Sequence, residues 1–154
     1  MKKLTSFLIL LMIVACTTQK KDTPTTNTEV EPIDSIKDTG HETFSYKEGD
    51  TTYVMQKYFL VLLKKGPNRD QPEEAYQKIQ VAHQAYLEQL FLEGKLSISG
   101  PLEAEESDIS GIVIFNTPTK EEVETLMQAD PAVKAGRLVV EVLPWWAAKG
   151  SVLK

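Results

Sequence analysis

Cysteine is nearly absent. Cys16 is the chain's one thiol, so no intramolecular disulfide can form. Histidine is almost as scarce, with only His41 and His83. A zinc site needs several Cys, His or carboxylate ligands converging, and this inventory offers no such set, so no metal or other cofactor is expected. There is no glycine-rich phosphate loop, because Gly94, Gly100 and Gly111 stand as isolated breakers. A G-x-S-x-G elbow is also missing, which leaves serine-hydrolase chemistry without support. Basic clusters are lacking too, and a net charge of −5 gives no electrostatic footprint for nucleic acid. No internal repeat is visible.

What is present falls into three parts. Residues 1–15 have a short basic start, Lys2-Lys3, followed by the apolar run "LTSFLILLMIVA". That run is short for a membrane span but has the length of a secretory signal core. It ends in Ile13-Val14-Ala15-Cys16, which resembles a bacterial lipobox; the resemblance implies acylation of Cys16 and a lipid anchor in the cell envelope. An ordinary secretory signal or an uncleaved anchor is the alternative. Thr17, rather than an aspartate, follows the cysteine, and by resemblance to enterobacterial lipoproteins this favours the outer over the inner membrane. Residues 16–40 are rich in Thr, Asp, Glu and Pro, too poor in apolar surface to offset the entropy of ordering, and are expected to form a disordered tether.

Residues 41–154 read as one folded domain, 42% of the whole chain being hydrophobic and 25% charged. Thr43–Tyr46 and the apolar run Tyr58–Leu63 read as strands around a "KEGD" turn, the first an added edge strand and the second ended by Gly66-Pro67. A long helix follows, capped by Asp70 or Gln71, with Pro72 in its first turn and Glu73 and Glu74 at its positive end. Its apolar stripe is Tyr76, Ile79, Tyr86, Leu87, Leu90 and Phe91, and Gly94 stops it. "KLSISG" and Gly111–Asn116 read as strands. Thr119 and Glu122 form a capping box for a second helix reaching about Ala129. "RLVVEVL" then alternates as a last strand, with Pro144 as its end. Strand, helix, strand, strand, helix, strand predicts an α+β, ferredoxin-like fold, an antiparallel sheet with its helices on one face. The other face needs cover, and a face-to-face homodimer is the economical way to supply it.

Two residues carry candidate chemistry. His83 interrupts the inward stripe of the first helix, four residues after Ile79 and four before Leu87. A buried imidazole left unpaired costs on the order of 1–3 kcal/mol, so it must find a partner. A core histidine bonded to a backbone carbonyl or water would satisfy that need without function. Asp130, in "ADPAVKAG", fits an N-cap with proline at the first helical position, and that reading is sufficient for the motif. Its carboxylate could instead accept a proton from His83, fixing the tautomer and freeing the other nitrogen for acid–base work. Spacing alone does not decide. His41 reads as solvated, Arg69 as a solvated loop residue able to hold an anion, and Trp145 and Trp146 as rim or dimer contacts before any role in a pocket wall.

From "YFLVLLKKGP" through "AHQAYLEQLFLEGKLSISGPL", "GIVIFNTPT", "ADPAVKAGRL" and "VEVLPWW", the chain resembles the YCII-related family. The resemblance spans roughly Tyr58 to Trp146 and rests on His83, Gly94, Gly100-Pro101, Asp130-Pro131, Gly136 and Pro144-Trp145. It implies a dimeric α+β barrel fold and a site centred on His83 and Asp130. One kind of member is a dehydrochlorinase of chlorinated hydroxyquinols; most have no assigned reaction. The leader, the tether and the extra hairpin depart from the usual short cytosolic member. The expected function is acid–base catalysis by His83 and Asp130 on a small organic substrate, by elimination, isomerisation or hydrolysis. The alternative is a non-catalytic envelope lipoprotein that binds a small molecule or a protein.

Overall fold

A computed structural model describes residues 40–103 and 106–153. The expected signal, tether and Cys16 lie outside the described residues, apart from Gly40 at the tether's end. Five strands and three helices follow in the order β1 (Thr43–Glu48), β2 (Thr51–Lys65), α1 (Glu73–Leu92), β3 (Leu96–Pro101), β4 (Ile109–Phe115), α2 (Lys120–Ala129), α3 (Pro131–Lys134) and β5 (Leu138–Ala148). Every strand pairing is antiparallel. Across the sheet the order is β5, β2, β4, β3, the α+β, ferredoxin-like arrangement with its helices on one face.

β2 is 15 residues long and organises the rest. Met55 and Gln56 pair with both β1 and β5, and Phe59–Lys64 pair with both β4 and β5, so β1 and β4 lie end to end along the same edge of β2. Gln56 donates to the Asn116 side chain at 2.8 Å just past the end of β4, tying the two segments. The β1–β2 turn is Gly49-Asp50, and Gly49 takes the left-handed φ of 59° that such a tight hairpin requires.

Alternation divides the sheet into two faces. Phe59, Val61 and Leu63 on β2, Val113 and Phe115 on β4 and Val142 on β5 point toward the helices, where they meet Leu87 and Leu90 of α1 and Val123 and Met127 of α2. The register puts Tyr58, Leu60 and Leu62 beside Ile112, Ile114, Leu143 and Trp145 on the opposite face, which no helix covers among the described residues. Leu143, Trp145 and Val139 on that face are among the exposed large hydrophobics. Lys64 and Glu141 form an ion pair there, and the hydrogen bond to Glu141 holds the Lys64 ammonium above its usual range.

Several expectations need correction. Neither Asp70 nor Gln71 caps α1; its N-cap is Pro72, with no side-chain cap, and Gln71 is used elsewhere. Phe91 is 55% exposed, having turned off the buried stripe of His83, Leu87 and Leu90. Pro144 does not end the last strand. β5 pairs only with β2 among the described residues, so Pro144, paired with Phe59, can present its missing N–H to the open side of an edge strand. His41 is half-buried rather than solvated.

Phe115, fully buried between sheet and helices, is the sharpest probe of the core. Phe115→Ala is expected to lower unfolding free energy by about 3–5 kcal/mol, whereas Val81→Ala on the exposed side of α1 should stay within about 0.5 kcal/mol, both read by denaturant titration.

Candidate active site

α1 stacks Tyr76, Gln80, His83 and Leu87 along one face, at the i, i+4, i+7 and i+11 positions. The partner of His83 arrives from the α2–α3 junction. α2 starts as its capping box predicts, with Thr119 Oγ1 accepting the Glu122 N–H at 3.2 Å. The chain then turns through Asp130, whose extended backbone closes α2 and opens α3. Asp130 Oδ1 accepts the Ala132 N–H at 2.7 Å and the Val133 N–H at 3.4 Å, with Pro131 in the first turn.

That leaves Oδ2, which lies 2.7 Å from His83 Nδ1. Asp130 is 0% exposed and His83 7% exposed. A carboxylate already accepting two backbone N–H groups has only acceptor capacity left, so the pairing is Nδ1–H donating to Oδ2. The tautomer is thereby set, and Nε2 carries the ring's free lone pair. Both sequence readings of Asp130 hold together: one oxygen caps, the other orients the imidazole. Nearby, the Tyr86 hydroxyl donates to the Leu126 carbonyl at 2.9 Å, and burial first and the Asp130 charge second push that phenol up.

His83 lines a cavity of about 380 Å³ between α1 and the β3–β4 edge, with Leu63, Leu87 and Leu138 as apolar wall and Gln80, Ser99 and Ser110 as polar groups. A slightly larger hollow, about 410 Å³, lies farther along α1 around Phe91 and Ile98. It contains neither His83 nor Asp130, and His83 borders the smaller one. On the other side of Gln80, a third cavity of about 220 Å³ is lined by Arg69, Tyr76, Ile79, Ser110 and Arg137. Gln80, Ser110 and Leu138 belong to both it and the His83 cavity.

Arg137 has no periodic or motif signal, and sequence reasoning missed it along with Gln80, and read Gln71 only as a helix cap. Its position comes from the lacing of two loops. Gly66 N–H donates to Arg137 O at 2.7 Å and Asn68 N–H to Gly136 O at 3.0 Å. A Cβ on Gly66 would collide with the Gly136 carbonyl, and Gly136 holds φ at 69°, so both positions call for glycine. Arg69 is brought into the same corner and donates to Arg137 O at 3.2 Å. Trp145 and Trp146 are not in any of these cavity walls. Trp146 meets Phe44 edge-on at 5.0 Å, and Trp145 lies 6.2 Å from Tyr58. Among the described residues no three of His, Cys, Asp and Glu gather as a metal site.

A family model described as the YCII-related domain matches residues 58–146, a span that holds both His83 and Asp130. No curated protein matches the chain. Among solved structures it is similar to 5-chloro-2-hydroxyhydroquinone dehydrochlorinase from Burkholderia phenoliruptrix AC1100, in complex with 2,5-dihydroxybenzoquinone, at 27% identity over 57% of this chain and 92% of that one, with a TM-score of 0.45.

Two substitutions separate the roles of Asp130. Asp130→Ala removes a cap and strands a buried imidazole, and is expected to cost about 2–4 kcal/mol in thermal or denaturant unfolding. Asp130→Asn keeps a capping oxygen and should cost less, while its amide donates to Nδ1 and moves the His83 proton to Nε2. Nitrogen-15 shifts of the ring read that switch directly; an unchanged tautomer would contradict the assigned hydrogen bond.

Proposed function

The chain belongs to the YCII-related family, and from that premise we propose that it is an acid–base enzyme acting on a small organic substrate, tethered to the bacterial envelope through Cys16. The observation that carries the chemistry is the 2.7 Å contact between His83 Nδ1 and Asp130 Oδ2 at the wall of a cavity. The buried carboxylate orients the ring and stabilises the imidazolium that forms when Nε2 takes a proton from a substrate carbon, hydroxyl or water. The same nitrogen returns that proton to a leaving group or to a neighbouring atom, which accommodates an elimination, an isomerisation or a hydrolysis. Leu63, Leu87 and Leu138 supply a low-dielectric wall against which the proton transfer is insulated from bulk water.

The working unit in this proposal is a homodimer. Its support is the uncovered apolar sheet face formed by Tyr58, Leu60, Leu62, Leu143 and Trp145, since a contiguous apolar patch of this kind marks an interaction surface. A second copy of the same sheet provides matching cover, with Lys64 and Glu141 as polar groups on that face.

His83→Asn is expected to reduce turnover by about 10²–10⁴-fold on a panel of enolisable ketones, activated esters and chlorinated hydroquinols, with folding checked by circular dichroism. Persistent ligand binding in His83→Ala, with no panel substrate turned over by the unaltered protein, would instead make this a binding module. Sedimentation should give a dimer at micromolar concentration and a monomer for Leu143→Glu; a monomeric parent would sink the sheet-face pairing. Cys16→Ala is expected to abolish membrane retention, and retention in that variant would refute the lipid anchor.

A further inference from the structure

The chain has 15 lysines but only two arginines, Arg69 and Arg137. Both line the same cavity of about 220 Å³. They come from distant parts of the sequence, one after β2 and one before β5, and the lacing of the Gly66 and Gly136 loops sets them side by side. Neither guanidinium forms an ion pair with a carboxylate among the described residues, although acidic side chains outnumber basic ones in the chain. Among the described residues, no Asp or Glu lines this cavity or the adjoining one that holds His83.

Arg137 is also held in place. Its guanidinium lies 4.1 Å over the Tyr76 ring, and its Nη1 donates to Gln71 Oε1 at 2.6 Å. Arg69 spends one N–H on the Arg137 carbonyl at 3.2 Å. Each thus uses one nitrogen on a neutral acceptor and keeps the rest of its fork, while half-burial of Arg137 strengthens its field. Gln80 and Ser110 add polar groups on the wall shared with the His83 cavity. Tyr76 and His83 are separated by two helical turns, roughly 10 Å along the α1 axis.

We propose that this cavity is an anion subsite, and that the substrate of the reaction proposed above is a small organic acid whose carboxylate is gripped by Arg137 and Arg69 while its reacting end lies against His83. Two guanidiniums without a carboxylate partner among the described residues match the planar, bidentate geometry of a carboxylate better than that of a neutral oxygen. The anchored anion fixes which substrate atom faces Nε2, so the arginines position and the histidine reacts. This assignment rests on the acid–base reading of His83 for the reacting end, but the anion subsite itself can be tested without turnover.

The test takes the full-length chain in detergent, with benzoate as probe and benzamide as its neutral counterpart, followed by ligand-observed NMR. Benzoate is expected to bind in preference to benzamide and to weaken on adding salt. Arg137→Gln should weaken benzoate by about tenfold or more, and Arg137→Lys should recover only part of that, because an ammonium lacks the fork. His83→Asn should leave benzoate affinity within about twofold, since the probe fills only the arginine end. Equal binding of benzoate and benzamide, no benzoate binding, or unchanged affinity in Arg137→Gln would overturn the subsite. Should Arg137→Gln not fold, Arg69→Gln on its exposed loop must weaken benzoate by about threefold or more, and an unchanged affinity there overturns it equally. Full turnover in His83→Asn with benzoate selectivity intact would remove the acid–base reading and leave the anion subsite standing.

Discussion

A carboxylate with no solvent exposure is the constraint on which the domain's functional corner depends. Asp130 cannot be left unpaired without a large desolvation cost, so both of its oxygens must find donors inside the protein. One finds the first N–H groups of α3 and the other finds His83. Because these donors come from different helices, the same residue that starts α3 also fixes where α1 can sit. Core packing of Leu87, Leu90, Val123 and Met127 then completes what the polar contact positions.

From that junction the surroundings of the histidine follow. α3 is only one turn long, and its end leads through Gly136 into Arg137 and β5. A short helix fixed at its start therefore determines where the arginine begins, and the loop after β2 locks onto the same residues. The result is a polar tract running from two cations, past Gln80 and Ser110, to an imidazole whose tautomer is set by a buried anion. Positive charge at one end and a proton acceptor at the other make the tract directional, which an apolar cleft is not.

Much of this was legible in the residues where the signal is local. Thr119 and Glu122 announce α2, and Asp130-Pro131 announces α3, because capping chemistry acts within three residues. His83 stands out because a polar residue on an inward stripe demands an explanation, although spacing left its pairing with Asp130 open and only family resemblance tipped the choice. The start of α1 was misread because Gln71, a plausible cap by position, is drawn away by Arg137, a contact spanning 66 residues. Pro144 was misread for a similar reason: proline stops a strand only where its missing N–H is needed, and that depends on which strand is at the edge. Arg137 left no trace at all. Its environment is made by loop-to-loop hydrogen bonds and a stacked tyrosine, none of which has a period or a motif.

The end-to-end placement of β1 and β4 on one edge of β2 has a mechanical consequence. Any load arriving from the residues before Gly40 reaches the open end of the β1 hairpin at Glu42, whose carbonyl and carboxylate are both bonded to Lys57 of β2. A pull directed away from the sheet there meets β1's hydrogen bonds in succession, from Thr43 toward Glu48, as a zipper rather than as a sheared patch. Among the described strands β1 pairs only with β2, so it can peel away while β2 keeps its register with β4 and β5 around the His83 corner. Under such a pull the added hairpin is a fuse, because losing β1 leaves the pairings farther along the same long strand intact.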